Sequence, residues 1–281
     1  MKHILTGLLL LLASLLLTAP LSAQVEVRLE PDRKQYLIGE PVLLKFTIAN
    51  HTDRVLDFRN NPGNPWLRFK VTSSASPYPL SPIAIQKFPR VTLNPGQQRS
   101  YKLDIRAGYN FNMDGIYKAI AIVTMPDQRS AYTSNAATFN MSSGGALRTF
   151  NIQSGGQPLE MHVKHMSVDG KNCLFGQVTQ QNSRRAIGAC YLGRYLNFME
   201  PRIRIDSRQN LHVLCQSTPE IFTYSVMNNK GKRTAMQFYK RSGGPVDLIS
   251  TGGRIITMGL VPYVKPKPDE EGVHKLSEDP A

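Results

Sequence analysis

The sequence is poor in cysteine and tryptophan and lacks the common short motifs of catalysis. It has three cysteines and one tryptophan in 281 residues. No C-x-x-C pair and no cysteine–histidine spacing of a zinc site occurs. The G-x-S-x-G, H-E-x-x-H and P-loop patterns are also missing. These absences argue against a zinc module, a serine hydrolase of that type, a metalloprotease and a nucleoside triphosphatase, and we expect no metal or cofactor.

Acidic side chains are scarce as well. The chain carries 34 Lys and Arg against 20 Asp and Glu, a net charge of +14. Most of the excess lies in residues 146–264, which hold 15 basic and 6 acidic residues. Such a field favours anionic partners, although a solvated basic surface without a dedicated ligand fits the same counts. We expect an anionic polysaccharide, an envelope protein or another exported protein as partner, and no specific nucleic acid.

Long apolar runs are confined to the amino terminus. Lys2 and His3 precede the run ILTGLLLLLASLLLTA, and Pro20 and small residues up to Ala23 follow it. This order is typical of a secretory signal peptide, because the run is shorter than the roughly 20 apolar residues of a spanning helix. We predict cleavage of residues 1–23, export to the periplasm or the extracellular space, and no transmembrane span afterwards.

The rest of the chain shows almost no helical periodicity. Alternating runs such as VEVRLE and VLLKFTIAN are separated by turn sequences such as NPGNP and LNPGQ. Short strands at this spacing predict an all-β protein with antiparallel sheets. The SSGG sequence at 142–145 has linker composition, so we predict two β-domains, 24–141 and 146–264. The tail, 265–281, is poor in apolar residues and is predicted to be disordered.

Three segments of the first half resemble a known class of domain. YLIGEPVLLKFTIANHTDRVLDF, TLNPGQQRSYKLDI and DGIYKAIAIV are similar to the immunoglobulin-like β-sandwiches of exported bacterial proteins, of the macroglobulin and proteinase-inhibitor type. The resemblance covers 24–141 and implies a sandwich in which Asp114 and Tyr117, within MDGIY, form a tyrosine corner. Their role would be structural.

The second half contains a local pattern of its own. PRIRIDSRQNLHVLCQSTPEIFTYSVMNNKGKRTAMQFYKR predicts four strands joined by tight turns and resembles one blade of a β-propeller. A propeller needs at least four blades of four strands, more than residues 146–264 can supply. We therefore predict a blade-like antiparallel β-domain, for which a compact sandwich and an incomplete propeller-like sheet both remain open.

Asp206, His212 and Cys215 invite a catalytic interpretation because they lie within ten positions. On a strand, however, residues two apart share a face, so Val213 and Cys215 should point one way and His212 the other. A catalytic cysteine and histidine must meet within hydrogen-bond reach. We therefore predict no catalytic residue here, and we expect Asp206 to accept hydrogen bonds from the backbone of its own turn.

The three cysteines lie in apolar segments of the second half. That setting suits small buried hydrophobic side chains, and an odd count leaves at least one thiol unpaired within the chain. Cys173 and Cys190 flank the polar turn QQNSRR, and they face each other if the hairpin is centred between Gln181 and Asn182. A Cys173–Cys190 disulfide and free thiols both remain open, with Cys215 left over.

Aromatic residues lie among arginines in the middle of the second half. Arg202 and Arg204 alternate with Ile203 and Ile205, so they should share a face opposite the apolar one. Arginine can hold carboxylate, sulfate or phosphate groups, whereas a solvated strand face fits the same pattern. The candidate binding residues are Arg194, Arg202, Arg204, Arg208, Tyr191 and Tyr195.

These observations predict an exported, non-enzymatic module that binds an anionic glycan, an envelope surface or a protein partner, or that has a structural role. Two alternatives remain open. The resemblance of the first half suggests an inhibitor or accessory subunit of an exported hydrolase. A glycan-active enzyme also fits, because its paired carboxylates would converge from distant positions.

Overall fold

The computed structural model describes residues 25–61, 63–86, 88–183 and 185–264. The predicted signal peptide, 1–23, and the whole of the predicted tail, 265–281, lie outside these ranges. The described chain is nearly all β-structure, and its helical content is one 3-10 turn, Ile105–Ala107. The predicted all-β class is therefore confirmed. Within the described ranges, no helix is long and apolar enough to cross a bilayer.

Apart from a longer connection between Ser73 and Val91, the strands follow one another with mostly short connections. They are β1 (Val25–Pro31), β2 (Gln35–Leu37), β3 (Leu43–Asn50), β4 (Leu56–Phe58), β5 (Leu67–Ser73), β6 (Val91–Leu93), β7 (Gln98–Asp104), β8 (Gly115–Thr124), β9 (Ala131–Thr133), β10 (Ala137–Ser142), β11 (Gly145–Ser154), β12 (Gln157–Val168), β13 (Lys171–Gln180), β14 (Ala186–Arg194), β15 (Arg202–Ile205), β16 (Leu211–Gln216), β17 (Ile221–Met227), β18 (Arg233–Arg241), β19 (Asp247–Thr251), β20 (Arg254–Met258) and β21 (Leu260–Pro262).

Two main sheets form the first half. Sheet A has the order β1-β3-β7, and sheet B has the order β2-β10-β8-β5 with β9 paired to β8; β4 and β6 form a separate pair. The β2–β10 pair is parallel. The apolar alternation of β1 explains its burial, because Val25, Val27 and Leu29 point inward and are buried. Sheets A and B share one apolar core, an arrangement compatible with a β-sandwich.

The turn before β8 is tied to its strand by a tyrosine. The ring of Tyr117 is buried and stacks on Phe139 with centroids 5.8 Å apart. Its hydroxyl donates to the carbonyl of Met113 at 2.9 Å. Asp114, between them in the chain, accepts a hydrogen bond from the backbone N–H of Ser143. Tyr117 therefore holds the turn against β8, and Asp114 connects the turn to the segment entering the second half.

Two further sheets form the second half. Sheet C has the order β11-β12-β13-β14, and sheet D has the order β15-β16-β17-β18-β21. The four strands that the sequence predicts within 201–241 are present as β15–β18. The connection from the first half is shorter than the predicted linker, because β10 ends at Ser142 and β11 begins at Gly145. Gly144 takes a φ of 64° there.

Sheets C and D pack face to face. Their shared core contains Met161 and Val163 from sheet C and Leu211, Val213 and Cys215 from sheet D, among others. The opposite face of sheet D is partly covered by the hairpin of β19 and β20, which contributes Leu248 to a smaller apolar cluster. Sheet D is thus buried on both faces in its middle.

The two halves meet along the outer face of sheet C. Leu37 packs with Cys173 and Phe175 in a third apolar cluster. The loop after β2 adds hydrogen bonds, since the backbone N–H of Ala189 donates to Gly39 O at 3.0 Å. Gln177 donates from its side chain to the carbonyl of the residue before Gly39, at 2.6 Å. This seam positions the loops of the first half beside the β13–β14 turn.

Candidate functional site

The turn between β15 and β16 brings Asp206 and His212 together. Arg204 pairs with His212 in the register of the two strands, and Asp206 lies two residues after Arg204, on the same face. Asp206 Oδ2 is 3.0 Å from His212 Nε2. Both side chains are almost fully buried, with 12% and 9% of their surface exposed. The sequence did not predict this pair, because Asp206 was assigned only to its own turn.

The predicted turn contacts of Asp206 are confirmed, and so is the division of faces. Its carboxylate accepts hydrogen bonds from the backbone N–H groups of Arg208 and Asn210 at 2.9 and 2.8 Å. Cys215 points into the core between sheets C and D, where its thiol contacts Arg194 O at 3.4 Å. His212 lies on the opposite face, so cysteine and histidine do not meet.

A tyrosine completes a chain of three polar side chains. The Tyr224 hydroxyl is 2.6 Å from His212 Nδ1. Burial alone would raise the pKa of Asp206, but hydrogen bonds from Asn210 and His212 outweigh it and hold the pKa below its usual value. The ionised carboxylate selects the tautomer with the proton on Nε2, so that Nδ1 accepts from the phenol.

The Asp206–His212–Tyr224 chain could relay a proton in principle, but its surroundings favour a structural role. Tyr224 packs in the cluster beneath the β19–β20 hairpin, and burial raises the pKa of its hydroxyl. None of the three residues lines the cavities described below. The three hydrogen-bonded side chains instead join the β15–β16 turn to β16 and β17.

The Cys173–Cys190 disulfide, left open by the sequence, is not formed. All three cysteines are free thiols. The β13–β14 register places Cys190 opposite Gly176 and Cys173 opposite Arg194, and it contains two irregularities. The cysteines are thus offset by three residues, about 10 Å along the strand, too far for a bridge. Burial raises the pKa of Cys190 to about 12, which leaves its thiol protonated and unreactive.

The six candidate binding residues do not share one surface. Tyr195 is buried in the core between sheets C and D, and Tyr191 packs against Phe175 at the seam between the halves. Arg202 and Arg204 do lie together on the outer face of sheet D, in register with Leu214 and His212. Arg202 is partly engaged, since its Nε lies 3.6 Å from Asp247 Oδ1. Arg194 and Arg208 are exposed at the end of β14 and in the β15–β16 turn.

A cleft at the junction of the two halves has the features of a ligand site. Two adjoining cavities of about 500 and 190 Å³ share four lining residues. Clefts of a few hundred Å³ between domains are common binding sites. The side chains that line the two cavities include Ile83, Arg106, Asn110, Asn112, Ser183 and Arg185.

Hydrogen bonds between loops fix the walls of this cleft. Ile83 N donates to Gly108 O at 2.9 Å, which holds the long β5–β6 connection against the 3-10 turn. Arg106, within that turn, donates from Nη2 to Ile187 O at 2.7 Å and to Ala186 O at 3.3 Å. One arginine of the first half is thereby anchored to the start of β14, immediately beside Arg185.

The cleft carries an excess of positive charge. Burial lowers the pKa of the Arg106 guanidinium, the Asp104 carboxylate opposes that shift, and the nearby charge of Arg185 adds to it. Neither Arg106 nor Arg185 belongs to an ion pair among the described residues. Two guanidinium groups that repel one another in a partly desolvated cleft would both be stabilised by an anion.

Sequence reasoning missed most of this site. Arg185 ends the polar turn QQNSRR, and Arg106, Asn110 and Asn112 are loop residues of the first half with no motif around them. Their proximity to Arg185 depends on how the two halves pack. Within the described ranges, no group of three His, Cys, Asp or Glu side chains lies close enough together to hold a metal ion.

Comparison of the chain with protein-family models, with curated proteins and with solved structures found no match. The functional argument therefore rests on the geometry of this chain.

Proposed function

We propose that this chain is an exported, non-enzymatic β-protein that binds an anionic ligand in the cleft between its halves. In this proposal 24–141 form an immunoglobulin-like sandwich and 146–264 form a second, blade-like antiparallel domain. Two observations support the division: each half has its own apolar core, and one short connection joins them.

The observation that carries the proposal is the pairing of Arg106 and Arg185. Each belongs to a different half, and no carboxylate neutralises either within ion-pair distance in the described chain. Asn110 and Asn112 line the same cleft and add amide donors and acceptors. Such a set suits a carboxylate or sulfate flanked by hydroxyl groups.

An acidic polysaccharide is the ligand class that these features favour. One uronate or sulfated sugar unit fits a cleft of this volume. The net charge of +14 would attract the polymer over longer distances. The apolar side chain of Ile83, which is 59% exposed, offers a surface for the C–H face of a sugar ring.

The test is a binding titration with a short oligogalacturonate and with a heparin-derived hexasaccharide. Arg185→Ala removes one charge from the cleft, and Arg204→Ala removes the same charge from the distant outer face of sheet D. Loss of a charge-assisted hydrogen bond should weaken binding by about tenfold or more in the first variant. The second should bind within about twofold of the parent protein.

Two results would contradict the proposal. Equal weakening by both variants would mean that the overall field, and not the cleft, attracts the polymer. No measurable binding of either oligosaccharide at low salt would remove the proposed ligand class.

A further inference from the structure

A second cavity lies at the other end of the first half, formed by loops that the cleft does not use. It has a volume of about 360 Å³. Its walls come from the end of β4, the loop before β5, and the turn between β8 and β9. The lining residues include Asp57, Asn61, Asn64, Trp66, Thr124 and Gln128.

Two buried polar atoms without a hydrogen-bond partner belong to residues at or beside this cavity. In the described chain three buried side-chain N or O atoms have no hydrogen-bond partner, and two of them are Asn60 Oδ1 and Thr124 Oγ1. Thr124 lines the cavity, and Asn60 lies between two lining residues, Arg59 and Asn61. A buried polar atom without a partner is costly, so natural proteins keep few of them.

The backbone around the cavity is unusual as well. Gln128 has a φ of 58°, one of three positive values among the described non-glycine residues. Asn61 and Asn64 exchange backbone hydrogen bonds of 3.2 and 3.0 Å across a tight turn, in which Gly63 has a φ of 71°. Three carboxamide side chains thus line one space, and the strained conformation at Gln128 is of a kind that concentrates at functional sites.

The charged side chains at the cavity are already hydrogen-bonded to one another. The Asp57 carboxylate binds the Arg90 guanidinium through two hydrogen bonds of 2.7 and 2.8 Å, and Arg59 binds it as well. The hydrogen bonds from Arg90 and Arg59 lower the pKa of Asp57 to about 2, so it stays ionised and paired. The groups left to a ligand are amides and a hydroxyl, which are neutral donors and acceptors.

We propose that this cavity binds an uncharged, hydroxyl-rich ligand, and specifically one unit of a neutral saccharide. Sugar hydroxyls can both donate and accept, so they can satisfy the Thr124 hydroxyl and the carboxamides of Asn61, Asn64 and Gln128. This site is separate from the cleft and does not depend on the function proposed for it.

Trp66 makes a direct test available. It is the one tryptophan of the chain and lines the cavity, where its Nε1 donates to Pro89 O at 3.1 Å. Its fluorescence therefore reports on this end of the molecule. We would titrate the protein with maltotriose, cellotriose and chitotriose, and we expect a saturable change in emission with at least one of them.

Two variants and one matched control connect that signal to the cavity. Thr124→Val keeps the side-chain shape, and Gln128→Gly relieves the backbone while removing a carboxamide; each should weaken binding by about fivefold or more. Asp169→Gly relieves a similar backbone, with a φ of 49°, in a turn of the second half, and it should bind like the parent. Arg185→Ala should also bind like the parent.

The proposal is overturned if none of the three sugars changes the emission in a saturable way. It is also overturned if a sugar binds but Thr124→Val and Gln128→Gly retain the affinity of the Asp169→Gly control.

Discussion

Removing the Asp206 side chain should destabilise the second half strongly. Its carboxylate accepts from Arg208 N, from Asn210 N and Nδ2, and from His212 Nε2, at 2.8–3.0 Å. In Asp206→Ala the buried imidazole loses its partner, at a cost of about 1–3 kcal/mol, and the turn loses its hydrogen-bond acceptor, at a cost of about 1 kcal/mol. We expect a loss of about 2–4 kcal/mol in the free energy of unfolding, measured by urea denaturation at pH 7.

The size of this effect should depend on pH. The pKa of Asp206 is lowered in the folded state, whereas it is about 3.9 in the unfolded chain. A carboxyl of that kind stabilises the fold fully at pH values above the unfolded pKa. The contribution disappears as the pH falls through the folded pKa. The difference between the parent protein and Asp206→Ala should therefore shrink in acid.

Two further variants control this experiment. Asp206→Asn keeps one oxygen that can accept from the turn, so it should lose less stability than Asp206→Ala. Asp53→Ala removes a carboxylate that is 96% exposed and should change stability by less than about 0.5 kcal/mol. The reasoning would be refuted if Asp206→Ala behaved like Asp53→Ala, or if its deficit grew as the pH fell.

Three other perturbations have definite expected outcomes. Because the cysteines are free and shielded, the melting temperature should not change when dithiothreitol is added, and a lower melting temperature would indicate a disulfide. For the same reason, the thiols of the native protein should react with a maleimide far more slowly than those of the denatured protein. Gly231→Ala should destabilise the protein by more than about 2 kcal/mol, because a Cβ there would overlap the backbone of Gly188 and because the φ of Gly231 is 74°. Gly170 has a similar φ of 73° but faces open space, so Gly170→Ala introduces the backbone strain without the overlap. Differential scanning calorimetry of the two variants would measure the two effects separately. Burial raises the pKa of Glu40 despite the opposing charge of Arg33. The parent protein should therefore lose stability relative to Glu40→Gln as the pH rises from about 4.3, the unfolded pKa, through the folded pKa. Urea denaturation at several pH values would contradict the raised pKa if it showed the opposite trend.

Some properties of the candidate region followed from the chain alone. Alternation in the stretch around His212 predicted that Val213 and Cys215 face the core and His212 faces away, and the structure confirms it. This works because side chains on a strand alternate with a period of two, which is a local property. The same alternation on Arg202 and Arg204 predicted their shared face correctly.

Other properties depended on details that no local pattern encodes. The cysteine pairing depended on the centre of one hairpin, and irregularities in its register moved Cys190 away from Cys173. The contact between Asp206 and His212 depended on the register that pairs Ile205 with Leu211. A hairpin model with that register would have revealed the pair, since it places both side chains on one face.

The sequence by itself determined that the chain is β-structure, where its strands lie, and which side of each strand is apolar, because these follow from short-range alternation and turn chemistry. Only the tertiary structure decided which polar groups meet. Arg106 and Arg185 are far apart along the chain and converge because two halves pack together. Thr124 and Asn61 line one cavity because the segments that carry them, which follow different strands, meet at one edge of the first half. Such contacts are set by sheet register and packing, which sum interactions over the whole chain.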